Sequence, residues 1–321
     1  MPSHPERTGR RPALLLAGLL LLVGLAAGAA RASGGTASKA HAAAQGPQEA
    51  GCPIFPASNS LNQDISHAPV DPRSAQYISS IGQGGHLHPS FSSTPGYGMP
   101  YLIVGPSQPK LPVHFFLSAR SSEPGPYPIP LSAPIQGERS GGSVDPGDNH
   151  VLVLQSGACK LYELYKARRA GGGWEAGSGA VFDLRSNKLR PDGWTSADAA
   201  GLPIFPLLAR YPEARAGAIK HALRVTVPRT QAGFVHPATH FSSSSTDPSL
   251  PPMGERLRLK ASFDLSPYHG QALIVLRALK RYGLMSRTKE MPGTSGVRTT
   301  LVGATATSSR SNRFRARPSR P

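Results

Sequence analysis

The chain has 321 residues, 35 of them glycine and 33 proline, and a formal net charge of +17. Glycine and proline spread this widely exclude a helical bundle and demand many turns and short strands. The charge is not a nucleic-acid footprint, because it sits at the ends: residues 1–32 hold +3 and residues 286–321 hold +7, leaving an ordinary +7 between them.

Residues 1–32 read as a secretory signal peptide. Arg7, Arg10 and Arg11 precede the apolar run Ala13–Ala27, and Ala30-Arg31-Ala32 offers small residues for cleavage. The run is shorter than the ~20 apolar residues that span a bilayer, so cleavage is expected rather than anchoring. Pro12 after Arg10-Arg11 argues against a twin-arginine signal. Residues 33–50 are small, polar and aperiodic, and are expected to be a disordered linker. In an exported protein Cys52 and Cys159, the two cysteines of the chain, are expected to pair. That bridge ties the domain entrance, CPIFPASNSLN, to the middle of the chain.

A single β-rich domain is expected over 51–285. After the glycine- and proline-rich stretch 84–100, strands are expected at Tyr101–Val104 and Val113–Ser118. Alternating prolines keep Glu123–Pro134 extended and irregular. His150–Gln155 and Lys160–Lys166, joined by Ser156-Gly157-Ala158-Cys159, read as a hairpin. Further strands are expected at Gly179–Leu184, Lys220–Val227 and Arg256–Leu265, the last with an alternating apolar and polar face. One helix is expected at Tyr268–Tyr282, started by Ser266 and Pro267 and stopped by Gly283. Its stripe of Leu273, Leu276, Leu279 and Tyr282 packs on a sheet. The expected fold is mainly antiparallel β, a sandwich or jelly-roll-like domain carrying this one C-terminal helix.

Candidate chemistry centres on 147–204. Glu163 and Asp183 sit mid-strand among apolar neighbours, and two inward carboxylates flanking a sugar bond are glycosidase equipment. The bland alternative is a structural acid held by Arg224, Lys260 or backbone amides. Trp194, with Asp192 and Asp198 in RPDGWTSAD, is a polar loop with one large aromatic of the kind on which sugars stack. Tyr162 and Trp174 are further contact candidates, and packing anchors are the competing role for all three rings. No metal site is expected: Pro237 spoils the helix that His236 and His240 would need, and His86/His88 and His150/His221 fit no zinc signature. Asp145, Asp148 and Asn149 do not have calcium-loop spacing. No nucleophile elbow, P-loop or dinucleotide fingerprint occurs, so no cofactor is expected.

The motifs CPIFP, YGMPY, EPGPYPIP, GDNHVLVL, CKLYELY, AGSGAVFDL, LRPDGWTSADAAGLPI, KHALRVTV, PPMGERLRLKASFD and ALKRYG together resemble a family of secreted proteins from soil bacteria with no assigned activity. The resemblance covers about residues 52–284. It implies secretion and one domain and brings no catalytic residues with it. It also implies a departure after Gly283, where the family continues as A-D-N-G-x-x-W-Y and this chain reads SRTKEMPGTSG from Ser286. Codons read two bases on from Met285 allow Val-Ala-Asp-Gln-Gly-Asn-Ala-Trp-Tyr. The implied reading is a frameshift near Met285, with 286–321 a disordered basic tail. The alternative is a genuine basic tail for anionic wall polymers.

Two functions from different classes are therefore expected in competition. One is a secreted, monomeric, non-catalytic module that binds polysaccharide or cell-wall polymer. The other is a secreted polysaccharide hydrolase or lyase using Glu163 and Asp183. N-terminal sequencing of the exported protein checks the first step of both: the mature chain is expected to begin at Ser33, and an intact Met1 end would refute the signal.

Overall fold

The structure is a computed structural model and describes residues 46–82, 86–90, 98–288, 300–302 and 304–306. The signal segment, residues 33–45 of the linker and most of the tail lie outside the described residues. In chain order the elements begin with β1 (Gln48–Glu49), β2 (Cys52–Pro53), α1 (Ser74–Ile81), β3 (His88–Ser90), β4 (Met99–Val104) and β5 (Val113–Phe115). The centre holds β6 (Val151–Gln155), β7 (Lys160–Tyr165), β8 (Arg168–Ala170), β9 (Gly173–Ala176) and β10 (Ser178–Asp183). Then follow α2 (Tyr211–Arg215), β11 (Leu223–Val227), β12 (Arg256–Leu257), α3 (Gly270–Arg281), β13 (Leu284–Thr288), β14 (Thr300–Val302) and β15 (Ala304–Ala306).

The fold is mainly β, with a helix near the C-terminal region packed on a sheet. One five-stranded sheet runs β10-β7-β6-β4-β15 and another runs β12-β13-β11-β14-β3. A three-stranded sheet, β5-β9-β8, and the β1–β2 pair complete it. The expected β6–β7 hairpin forms with Val151 opposite Leu164 and Gln155 opposite Lys160. Parallel neighbours join the antiparallel pairs: β4 lies parallel to β6, and β11 parallel to β13.

Alternation along the strands distributes the core. Leu152, Leu154, Leu161, Ala180 and Phe182 face one cluster with the disulfide and Ile204–Leu208. Val151, Val153, Tyr162 and Leu164 face another cluster with Trp174, Tyr127 and Ile129. Both faces of the first sheet are therefore covered, which is why VLVLQ is buried along its whole length. The third cluster seats Val275, Ala278 and Leu279 of α3 on Leu223, Val225 and Val227.

Four expectations need correction. Residues 46–50, expected within the disordered linker, hold β1, which pairs with β2 through Gln48 opposite Pro53 and Glu49 opposite Cys52. Only Arg256–Leu257 of the Arg256–Leu265 stretch is strand, because the Leu259 amide turns away to donate to Leu279 O (3.1 Å) at the end of α3. Helix α3 starts at Gly270 rather than after Ser266, whose hydroxyl and amide are both taken by the Asp264 carboxylate (2.7 and 2.9 Å) in a local turn. The tail is not disordered throughout. Ser286 is fully buried in β13, its amide donates to Glu255 O, and its carbonyl accepts from Gly254 N; β14 and β15 pair with β11, β3 and β4. The domain therefore continues past 285. Gly283 does stop the helix as expected, at φ +70°, with Leu257 O 2.2 Å from where a Cβ would stand.

Cys52 and Cys159 form the expected disulfide, with Cα atoms 5.3 Å apart and a sequence separation of 107. Removing a cross-link that closes so long a loop costs about 4–5 kcal/mol in the chain-entropy model. The double substitution Cys52→Ser/Cys159→Ser is expected to lower unfolding stability by that order. A denaturant midpoint unchanged from wild type would contradict it.

Candidate functional site

The segment from Thr195 to Ala200 runs through the interior, and buried carbonyls must be paired. Each one is. Arg190 donates to Thr195 O, Ser178 Oγ to Ser196 O (2.7 Å) and His150 Nε2 to Ala197 O (3.0 Å). Gly201 N donates to Asp198 O (2.9 Å), His240 Nδ1 to Ala199 O (2.7 Å) and Thr239 N to Ala200 O (3.0 Å). Gly201 sits at φ +74° with Thr239 Oγ1 2.1 Å from a would-be Cβ, so no other residue fits there.

The acid of this segment is also inside. Asp198 is 2% exposed and accepts from Ala200 N (2.9 Å), from Arg224 and, at 3.3 Å, from Arg287 Nη1. Burial alone would raise its pKa, but Arg287 and Arg224 together hold it below the usual carboxylate value. Arg190 braces the outer side. Its guanidinium pairs with both oxygens of Glu123 (2.9 and 2.9 Å), reaches Ser121 O (2.8 Å) and lies 5.5 Å over the Trp194 ring.

These braces wall a cavity of about 370 Å³, within the ~300–1,000 Å³ range of small-ligand sites. Its polar lining includes Asp148, Tyr165, His240 and Arg287, with hydroxyls from Ser118, Ser121, Ser178, Ser242 and Thr195. Buried His150 also lines it, its pKa pushed down to about 4 by desolvation, so the ring is neutral near pH 7. Tyr165 is raised by burial and then by the Asp148 charge, and remains a neutral hydroxyl. A carbonyl only accepts, so His240 carries its proton on Nδ1 toward Ala199 O. In the neutral ring this leaves Nε2 as an acceptor. Beside the cavity the rings of His240 and Phe241 stack with centroids 6.1 Å apart, and Phe241 and Phe234 follow at 6.4 Å.

The residues singled out from sequence are scattered by this geometry. Glu163 pairs across the sheet with Ala180, and Asp183 with Lys160, which puts the two carboxylates on opposite faces. They flank no common ligand. Glu163 is fully buried and accepts from Ile204 N (2.9 Å) and Phe205 N (2.8 Å), holding the start of a 3-10 turn. Asp183 is exposed and caps Arg185 N (3.0 Å). Tyr162 and Trp174 are core, not contact residues: Tyr162 packs 5.2 Å from Tyr127, and Trp174, 2% exposed, donates Nε1–H to Ile129 O (2.9 Å). Asp198 belongs beneath the cavity rather than in it. Asp192 and Trp194 remain on the outer loop, with Asp192 bonded to His236 (2.9 Å), and neither lines the cavity. Sequence reasoning missed Tyr165 and Arg287, and weighed Asp148 and His240 only as metal ligands. Among the described residues no group of three or more metal-ligating side chains forms.

Glu163 and His150 make stability depend on pH in opposite senses. Burial raises Glu163 to about 7, against the pull of the Phe205 and Ile204 amides. Its contribution is complete below the unfolded value of 4.5 and is lost as pH rises through 7. The contribution of His150 is complete above the unfolded 6.5 and is lost as pH falls through about 4. Glu163→Gln keeps an oxygen for both amides and removes only the first dependence. Thermal melts of that variant are expected to show stability rising from pH 4.5 to 6.5 more steeply than in wild type. A shallower rise would refute the assignment. No protein-family profile, no curated protein and no solved structure matches this chain.

Proposed function

We propose that the chain is a secreted protein that binds sugar units of an extracellular or cell-wall polysaccharide in the Asp148–His240 cavity, without cleaving them. The cavity carries this reading. Its wall is dense in hydroxyls and holds one half-buried carboxylate, Asp148, and one histidine with a fixed acceptor, His240. Such groups exchange hydrogen bonds with the hydroxyls of a sugar ring while the protein keeps its own backbone satisfied. His240 of the cavity wall stacks on Phe241, which stacks in turn on Phe234, and Phe241 is exposed, which suits the flat apolar face of a neighbouring sugar.

Export is supported by the signal-like first 32 residues and by a disulfide compatible with an oxidising compartment. No helix among the described residues is long and apolar enough to cross a membrane. The non-catalytic form is favoured over the hydrolase or lyase because Glu163 and Asp183 occupy opposite faces of a sheet.

Glycan-array binding followed by titration tests the proposal. Wild type is expected to bind at least one plant or microbial polysaccharide and release no oligosaccharide. Asp148→Ala and His240→Ala, which remove one hydrogen-bonding group each, are expected to weaken binding about 3- to 15-fold. Soluble products from wild type would shift the protein to the enzyme class. Unchanged binding by both variants would remove the cavity from the argument.

A further inference from the structure

Arg287 is a buried cation on the cavity wall whose bonding is conspicuously incomplete. It is about nine-tenths buried, yet its side chain makes one hydrogen bond among the described residues, the 3.3 Å contact with Asp198 Oδ2. The same oxygen is held more closely by Arg224. Arg287 Nε is buried without any partner. A desolvated guanidinium with idle donors is costly unless an acceptor completes it.

The charges around it do not supply that acceptor. One carboxylate, Asp198, serves two guanidiniums, so one positive charge is in excess. Glu163 interacts with Arg224, but its oxygens are occupied by Ile204 and Phe205 amides, and burial favours its neutral form. His150 is neutral and gives its one N–H to Ala197 O. Asp148 is the one carboxylate lining the cavity, and no ion pair within 4.0 Å joins it to Arg287 among the described residues. The cavity therefore holds a cation and an anion that do not pair directly.

We infer that Arg287 is the carboxylate-binding point of the cavity and that the ligand is an acidic sugar, a hexuronic acid unit. This deepens the glycan reading above and rests on it. The ligand carboxylate meets the guanidinium, whose flat fork suits that group better than a point charge would. The hydroxyls of the same sugar donate to Asp148 and to His240 Nε2. A phosphate monoester, close to doubly charged, is disfavoured by the Asp148 charge, and a neutral sugar leaves Arg287 incomplete.

The test is calorimetric titration of the protein with glucuronic and galacturonic acid oligomers and with the same oligomers reduced at the carboxyl to neutral sugars. Acidic oligomers are expected to bind about tenfold or more tightly than the reduced ones, with the difference shrinking as salt is raised. In Arg287→Gln the acidic oligomers are expected to lose their advantage and bind no more tightly than the reduced ones bind to the same variant. If that variant fails to fold, the acidic-to-reduced ratio and its salt dependence in wild type decide alone. Equal or tighter binding of the reduced oligomers overturns the role of Arg287 and leaves the glycan reading standing. Binding of neither series, with other glycans still bound, overturns only the acidic ligand. No glycan binding at all overturns both.

Discussion

The interior course of Thr195–Ala200 is the constraint on which the rest of the site depends. Six consecutive carbonyls with no strand partner have to be satisfied from outside the segment or by its own turns. The groups that do so come from far apart in the chain: His150 beside β6, Ser178 on β10, Arg190 before the loop, and His240 after β11. Holding the loop therefore fixes the spacing of the sheet edges around it. Asp198 adds an electrostatic lock, since a buried carboxylate persists as an ion only if cations come with it. Arg224 from β11 and Arg287 from β13 meet that need, and in doing so they bind the second sheet to the loop.

The cavity is a by-product of this bracing. Ser178, His150 and His240 each point one polar atom at the loop and border the cavity as well, so the cavity surface is assembled from residues already committed structurally. This arrangement preorganises the groups, because their rotamers are set by the fold itself. It also explains why the groups with most bonding capacity left are Asp148, Tyr165, Arg287 and the outer nitrogen of His240.

Local patterning made much of the fold legible. The hairpin, the β10 strand, the β11 strand and the stop at Gly283 follow from short-range signals that tertiary structure did not override. The disulfide followed from cysteine parity. The site was harder to read. Glu163 and Asp183 looked alike in sequence because each stands among apolar neighbours, but strand register places one inside and the other at an exposed end. Trp174 and Tyr162 drew attention as large aromatics, and the same size makes them core fillers. The aromatic Tyr165, one residue beyond the buried Leu164, gave no sign of facing a cavity. Arg287 lay in a basic stretch whose composition signalled disorder, and only its parallel pairing with β11 reveals its position.

The place of β13 in the second sheet carries a consequence for assembly. Strand β11 has β13 on one side and β14 on the other, and both are made after every other strand but β15. A chain emerging from its N-terminus can close the β6–β7 hairpin early, since its strands are adjacent in sequence. The second sheet has no completed middle until residues 284–302 are available. Contacts of such sequence separation carry a large loop-closure cost before they return any stability, and they slow folding.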